Sequence, residues 1–221
     1  MTATRTAAGS ATRWAGVAAI AFVVFFVVGL VLFNTPESDA SVDEWSEFFA
    51  DSGDRTSLVL HGYAWALAGI AFLVCVSALR EPLRAAVDWL GTLSLVTGVT
   101  FAVTLLFAAA ATTAIAGGIE FGDVPEEGAG EFGRWFEQLG FGMLLICGMF
   151  AAGVFVVAAS TALLRARVIP GWLAVVGYVV GPIVFIFGVT FLPLFLFVLW
   201  MLVLGIVLLV RQPASPTTAT P

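Results

Sequence analysis

Six apolar stretches that contain no Asp, Glu, Lys or Arg, separated by polar segments whose charge alternates in sign, constrain this 221-residue chain more than any other feature. They run roughly over 14–33, 57–79, 89–116, 138–164, 172–191 and 194–210. A bilayer's hydrocarbon core is about 30 Å thick, so a helix needs on the order of 20 apolar residues to cross it. The chain is 61% hydrophobic and 11% charged, against roughly 45–50% and about 25% in soluble domains. The pattern predicts an all-α, polytopic membrane bundle of six transmembrane helices forming one domain over 14–211. They pair as three hairpins: helices 1 and 2, 3 and 4, 5 and 6. The third and fourth stretches exceed the minimum and have room to tilt, whereas the sixth is barely long enough. Residues 1–13 and 212–221, rich in Thr, Ala, Ser and Pro, read as disordered tails.

Arginine sets the orientation, because cytoplasmic loops are enriched in Lys and Arg close to the membrane. Arg5 and Arg13, Arg80 and Arg84, Arg165 and Arg167, and Arg211 all fall on one face, which places both termini in the cytoplasm. The other face carries Glu37, Asp39, Asp43, Glu44, Glu47, Asp51 and Asp54 in one loop and Glu120, Asp123, Glu126, Glu127, Glu131 and Glu137 in the other. Against those thirteen acids stand Arg55 and Arg134, a formal charge of −11. The first stretch follows a basic segment, as a signal peptide does, but its roughly 20 apolar residues exceed the usual 7 to 15, so it reads as a retained span. The absence of lysine beside abundant alanine, valine, glycine and arginine points to a GC-rich bacterial genome and hence to a bacterial plasma (inner) membrane.

The first acidic loop contains a short helix. Ser41-Val42-Asp43-Glu44 matches a capping box and Gly53 supplies a stop, giving an amphipathic extracytoplasmic helix over about 42–51. Val42, Trp45 and Phe49, widened by Phe48, form its apolar stripe, with the acids around the rest. It is expected to rest on the membrane interface or on the end of the bundle. The second acidic loop holds Gly117, Gly118, Gly122, Gly128, Gly130 and Gly133, which predicts flexibility, and then Phe132, Trp135 and Phe136, which predict anchoring at the headgroups.

Small residues let helices approach closely in lipid. Gly177 and Gly181 form a G-x-x-x-G, and Gly148 and Ala152 a looser version, either for packing within the bundle or as an oligomer face. Thr97, Thr100 and Thr104 continue into Ala108 and Ala111 as a mildly polar stripe. With Pro182, which is expected to kink the fifth helix, that stripe marks a candidate conduit. His61, the single histidine, falls near the outer boundary, with Tyr63 and the loop carboxylates expected close by. It is a candidate proton or metal site, or else an interfacial hydrogen-bonded imidazole. Asp43, Glu47 and Asp51 stand four apart and offer hard oxygen ligands for Ca²⁺ or Mg²⁺, but without the spacing of a dedicated calcium loop. Cys75 and Cys147 lie at different depths, too far apart for a disulfide, and read as packing residues.

The chain lacks lysine, which removes P-loop and Schiff-base chemistry, and one histidine cannot make an H-E-x-x-H site. No G-x-S-x-G supports a serine hydrolase. The apolar stretches hold no carboxylate or basic residue of the kind coupled carriers use. No cofactor and no nucleic-acid partner is expected.

Asp51-x-x-Asp54-Arg55, Leu79-Arg80-x-x-Leu83-Arg84 and Pro170-Gly171-Trp172-Leu173 give the chain a likeness along nearly its whole length. It resembles uncharacterised bacterial six-helix integral membrane proteins grouped in a domain-of-unknown-function family, a resemblance that implies the six-helix fold and brings no activity with it. The leading functional expectation is a non-enzymatic interaction, assembly or envelope-sensing protein whose partners are the lipid bilayer and a second copy or another membrane protein. A permease for a neutral or lipidic molecule is the alternative, and a membrane enzyme using His61 with outer-loop carboxylates is the third.

Overall fold

The computed structural model describes the backbone over residues 2–37, 39–86, 88–122 and 124–210, and side chains from residue 11 onward apart from 81–88. The side chains of Arg5, Glu81, Arg84 and Asp88, all of Asp123 and Arg211, and the expected tail over 212–221 lie outside the described residues. Among the described residues eight α-helices follow one another: α1 (Thr2–Leu32), α2 (Val42–Ala50), α3 (Ser52–Ala86), α4 (Asp88–Phe121), α5 (Ala129–Met143), α6 (Met149–Arg165), α7 (Gly171–Phe187) and α8 (Phe191–Val210). A single π-helical turn, Leu144–Gly148, joins α5 to α6. Among the described residues there is no strand.

Among the described residues five helical segments are long and apolar enough to cross a membrane: Ala11–Leu32, Ser52–Arg80, Trp89–Phe121, Ala129–Arg165 and Phe191–Val210. These mark a membrane-embedded helical bundle. The expected fifth span, 172–191, is shorter than the sequence implied. Helix α7 has 17 residues, roughly 25 Å at about 1.5 Å per residue, because the chain turns at Gly188 and the Thr190 hydroxyl donates back to the Phe187 carbonyl at 2.9 Å. The sixth gains what the fifth loses: α8 begins at Phe191, with Pro193 in its first turn, where the missing N–H leaves no bond unmade. At the other extreme α1 begins at Thr2, inside the stretch expected as a tail.

Helix α1 packs on α3 and α8, α3 on α4, α4 on α6, α6 on α7, and α7 on α8, so the six long helices close a circuit. Five of them send one fully buried phenylalanine each to its centre: Phe22, Phe72, Phe101, Phe155 and Phe197. Phe101 lies 4.8 Å from Phe197 and 4.9 Å from Phe72 between ring centroids, and Phe72 lies 5.2 Å from Phe22 and 5.3 Å from Phe155, all edge-on. Such pairs add about 0.5–1.5 kcal/mol each beyond the area they bury. At one end of the bundle, near the arginines, Trp14, Trp89 and Trp172 stand exposed in the first turns of their helical segments; toward the acidic end Phe132, Trp135 and Tyr63 are exposed as well. Exposed aromatics at both ends match the two interfacial belts of a membrane protein.

The central rings set the stability of the bundle. Phe101→Ala is expected to destabilise it by about 3–5 kcal/mol, whereas Phe107→Ala, on the same helix but 41% exposed, changes little. Unfolding of the two variants in the same detergent, followed by tryptophan fluorescence, makes the comparison.

Candidate functional site

The acidic end is built on α2. The Ser41 hydroxyl accepts the Glu44 N–H at 3.3 Å and the Glu44 carboxylate accepts the Ser41 N–H at 2.8 Å, which completes the expected capping box. The helix rests on the end of the bundle. Trp45, Phe48 and Phe49 are buried against Leu58, Val59, Ala116 and Ala129, and Asp43, Glu44 and Glu47 face outward. Two expectations are corrected here. Val42 is 45% exposed and stands outside the stripe, because at helix position one it precedes the turn that meets the bundle. The stop is Asp51, not Gly53: Asp51 ends α2 in an extended conformation, and its Oδ1 accepts the Gly53 and Asp54 N–H groups at 2.8 and 3.0 Å. That carboxylate therefore serves as the N-terminal cap of α3.

The expected glycine-rich flexible segment is also different. Gly130 and Gly133 lie within α5, where a β-carbon on Gly130 would collide with Ser46 and the Val42 carbonyl, and one on Gly133 with the Phe49 ring. These glycines serve close contact between α2 and α5, and among the described glycines only Gly128 uses a left-handed backbone, at φ 82°, to start α5.

Arg55 fastens this cap. Only 9% exposed, its guanidinium donates to the Phe49 and Ala50 carbonyls at the end of α2, and pairs with Glu120 at the end of α4 and Glu126 in the following loop, both at 3.3 Å. One cation therefore gathers four segments. Its acceptors are mutually repulsive carboxylates and the negative end of a helix dipole, so each is stabilised by the same charge.

Below the cap, α1 and α3 are joined by a ladder. Ser57 Oγ donates to the Leu32 carbonyl at 2.9 Å, His61 Nδ1 to that of Gly29 at 2.8 Å, and Trp65 Nε1 to that of Phe26 at 3.3 Å. Donors spaced by four meet carbonyls spaced by three on an antiparallel helix. Asn34 extends the series by donating to Asp54 at 2.7 Å. Because a carbonyl only accepts, the His61 proton sits on Nδ1. His61 is fully buried, its ring packs on Trp65 and Phe33 with centroids 4.4 and 4.9 Å apart, and its Nε2 has no partner. Tyr63, two residues on, is 64% exposed on another face of α3. The expected association of His61 with Tyr63 and the loop carboxylates is thus replaced by an aromatic enclosure. Among the described residues, no three His, Cys, Asp or Glu side chains come together as a metal site.

Beside the ladder, α5 carries a carboxylate into the protein. Glu137 is 7% exposed; one oxygen accepts the Thr35 hydroxyl at 3.0 Å, and the other, Oε2, is buried with no donor. Glu137 lines a groove of about 520 Å³ with Phe33, Thr35, Phe141, Leu145, Ile146 and Phe191 among its walls, and with Glu37 at its edge. The wall below Phe141 is the π-helical turn, a feature that occurs frequently at functional sites.

The remaining sequence candidates are dispersed. Thr97, Thr100 and Thr104 each donate to a carbonyl of their own helix, at 2.7, 2.9 and 2.8 Å; Thr100 faces outward, and Thr104 packs on Gly148. Gly177 and Gly181 lie against Ser160, Gly153 and Val157 of α6, and Ala152 is fully buried, so these small-residue faces are occupied within the chain. Pro182 is exposed and lines a wholly apolar surface groove of about 360 Å³ with Gly153, Gly181 and Phe185. Cys75 is buried as expected; Cys147 is exposed, because the π turn rotates it outward.

Arg55 and Glu137 are the two residues that sequence reasoning passed over. A signal for each existed: Arg55 breaks the acidic face, and Glu137 falls on the small-residue line Gly130, Gly133, Gly140 at helical spacing. Arg55→Ala is expected to cost about 2–4 kcal/mol, between an exposed and a buried pair, with faster amide exchange over 42–51. Glu126→Gln, which removes a carboxylate whose side chain is 58% exposed, costs about 0.5 kcal/mol or less. No family model, no curated protein and no solved structure matches the chain.

Proposed function

We propose that this chain is a non-enzymatic, multi-pass protein of a bacterial plasma membrane, with both termini in the cytoplasm, which acts through recognition of another membrane protein by its acidic outer cap. The observation that carries the reading is the contrast between the two parts of the bundle. The centre is closed by five interlocked phenylalanines, while the cap is held rigid by Arg55 and presents Asp43, Glu44 and Glu47 outward. A fixed array of like charges costs stability through self-repulsion, and it gains a use where a basic surface meets it. Two such caps repel, which favours a partner of different sequence over a second copy at this face.

The filled centre also favours this reading over a permease, and the enclosure of His61 favours it over an enzyme. The arginine distribution along the sequence supports the orientation.

The orientation is tested in a Cys75→Ala, Cys147→Ala background. Ser46→Cys is expected to react with a membrane-impermeant maleimide in intact cells, and Arg167→Cys only after permeabilisation; the reverse order overturns the topology. For recognition, a photo-crosslinking amino acid at Glu47 is expected to give one discrete adduct with another protein in cells, weakened by Asp43→Lys and abolished by Arg55→Ala. Failure to find any adduct at Glu47, or an adduct indifferent to both changes, overturns the proposal.

A further inference from the structure

We infer that the groove beside Glu137 is a binding site for an amphiphile with a primary ammonium head and an aliphatic chain, independent of the outer cap. Four observations converge. Glu137 Oε2 is buried without a donor, and leaving such an acceptor unsatisfied costs on the order of 1–3 kcal/mol or more, a penalty a ligand's N–H removes. Among the described residues of the groove the other ionisable side chain, Glu37, is also an acid and none is an arginine, so the local charge selects a cation. Phe33, Phe141 and Phe191 line the same groove as the carboxyl, with Phe141 centred 5.1 Å from Phe33 and 5.5 Å from Phe191; aromatic faces attract ammonium groups. Finally, the groove continues past Leu145 to Ile146, 50% exposed, and Val189, 57% exposed, which face the bilayer in a membrane-embedded bundle. A head seated at Glu137 therefore leaves its chain lying along the π turn and out into lipid.

The ammonium donates to Oε2 while Thr35 keeps its bond to the other oxygen. A quaternary ammonium fits the rings but has no N–H to give, and an alcohol has the donor without the charge. The same ammonium chemistry comes from a single-chain amine or from the headgroup of phosphatidylethanolamine.

The test is native mass spectrometry of the full chain in detergent, titrated separately with tetradecylamine, tetradecyltrimethylammonium, tetradecanol and dioleoylphosphatidylethanolamine. A one-to-one adduct with tetradecylamine at least tenfold tighter than with tetradecanol or the quaternary amine is expected. It falls at least tenfold in Glu137→Gln and is unchanged in Glu131→Gln, which removes an equal charge from the exposed side of α5. Ile146→Trp, which obstructs the chain's path and leaves the carboxyl intact, gives the same loss and serves where Glu137→Gln does not fold. Adducts with phosphatidylethanolamine that obey the same variants assign the site to a bilayer lipid, and their absence assigns it to single-chain amines. Equal affinity for amine and alcohol, or wild-type amine binding in both Glu137→Gln and Ile146→Trp, overturns the inference.

Discussion

Inside a bilayer, lipid tails are as apolar as leucine, so the hydrophobic effect does not draw one helix onto another. Shape has to do it, and this bundle depends on bulky rings seated against residues that have no side chain. Gly29 of α1 makes room for Trp65 of α3, and Gly98 of α4 for Val76 of α3 and Phe155 of α6. Gly16 of α1 brings its helix against the Gly205 carbonyl of α8. Once the backbones are that close, the Phe22–Phe72–Phe101–Phe197 cluster has a defined space to fill, and short hydrogen bonds such as His61 to Gly29 become geometrically available. The polar ladder is thus a consequence of the steric fit. Replacing Gly29 with any larger residue displaces the Trp65 ring and, through it, the seat of His61.

The acidic end follows a different logic, because it reaches water and concentrates like charge. Helix α2 buries its aromatic face against the bundle and against the small-residue face of α5, and Arg55 compensates at the point where the ends of α2 and α4 and the loop after α4 converge. Exposed ion pairs contribute little. Arg55 differs because it is nearly buried and also satisfies two backbone carbonyls that α2 leaves open at its end. The seven carboxylates of the first acidic loop therefore do not act alike. Glu44 closes the capping box, Asp51 caps α3 and Asp54 accepts from Asn34, while Asp43 and Glu47 remain for the surroundings.

Most of the architecture was legible in the chain because hydrocarbon leaves few options: charge-free runs of this length have to be helices. The short helix α2 was legible for a local reason, since a capping box involves residues three apart. What stayed hidden depends on contacts between distant segments. Gly130 and Gly133 look like linker residues until α2 is placed across them. Thr97, Thr100 and Thr104 look like a polar path until each hydroxyl is seen turned back on its own helix. His61 looks interfacial from its place at the outer end of its apolar stretch, but position along one helix gives depth and says nothing of which neighbour covers the ring. The limits of the fifth and sixth spans were missed because Gly188 and Thr190 terminate α7 within an uninterrupted apolar run.

The position of Glu137 ties these two logics together. Its helix carries small residues at 130, 133 and 140 on the face that meets α2 and α4, so the same face delivers the carboxyl inside. An ordinary helix continuing from Phe141 would keep that face in register down to α6. The π turn at Leu144–Gly148 inserts extra residues per turn, which shifts the register so that Gly148 and Ala152 meet the rest of the bundle while Cys147 swings outward. The register shift allows the α5 face required by the cap and the α6 face required by the core to coexist on one continuous rod. A π turn is less favourable than α-helix and persists where the surrounding packing over-determines it. Here the packing that demands it comes from both ends at once, and the groove at Glu137 lies where the two demands meet.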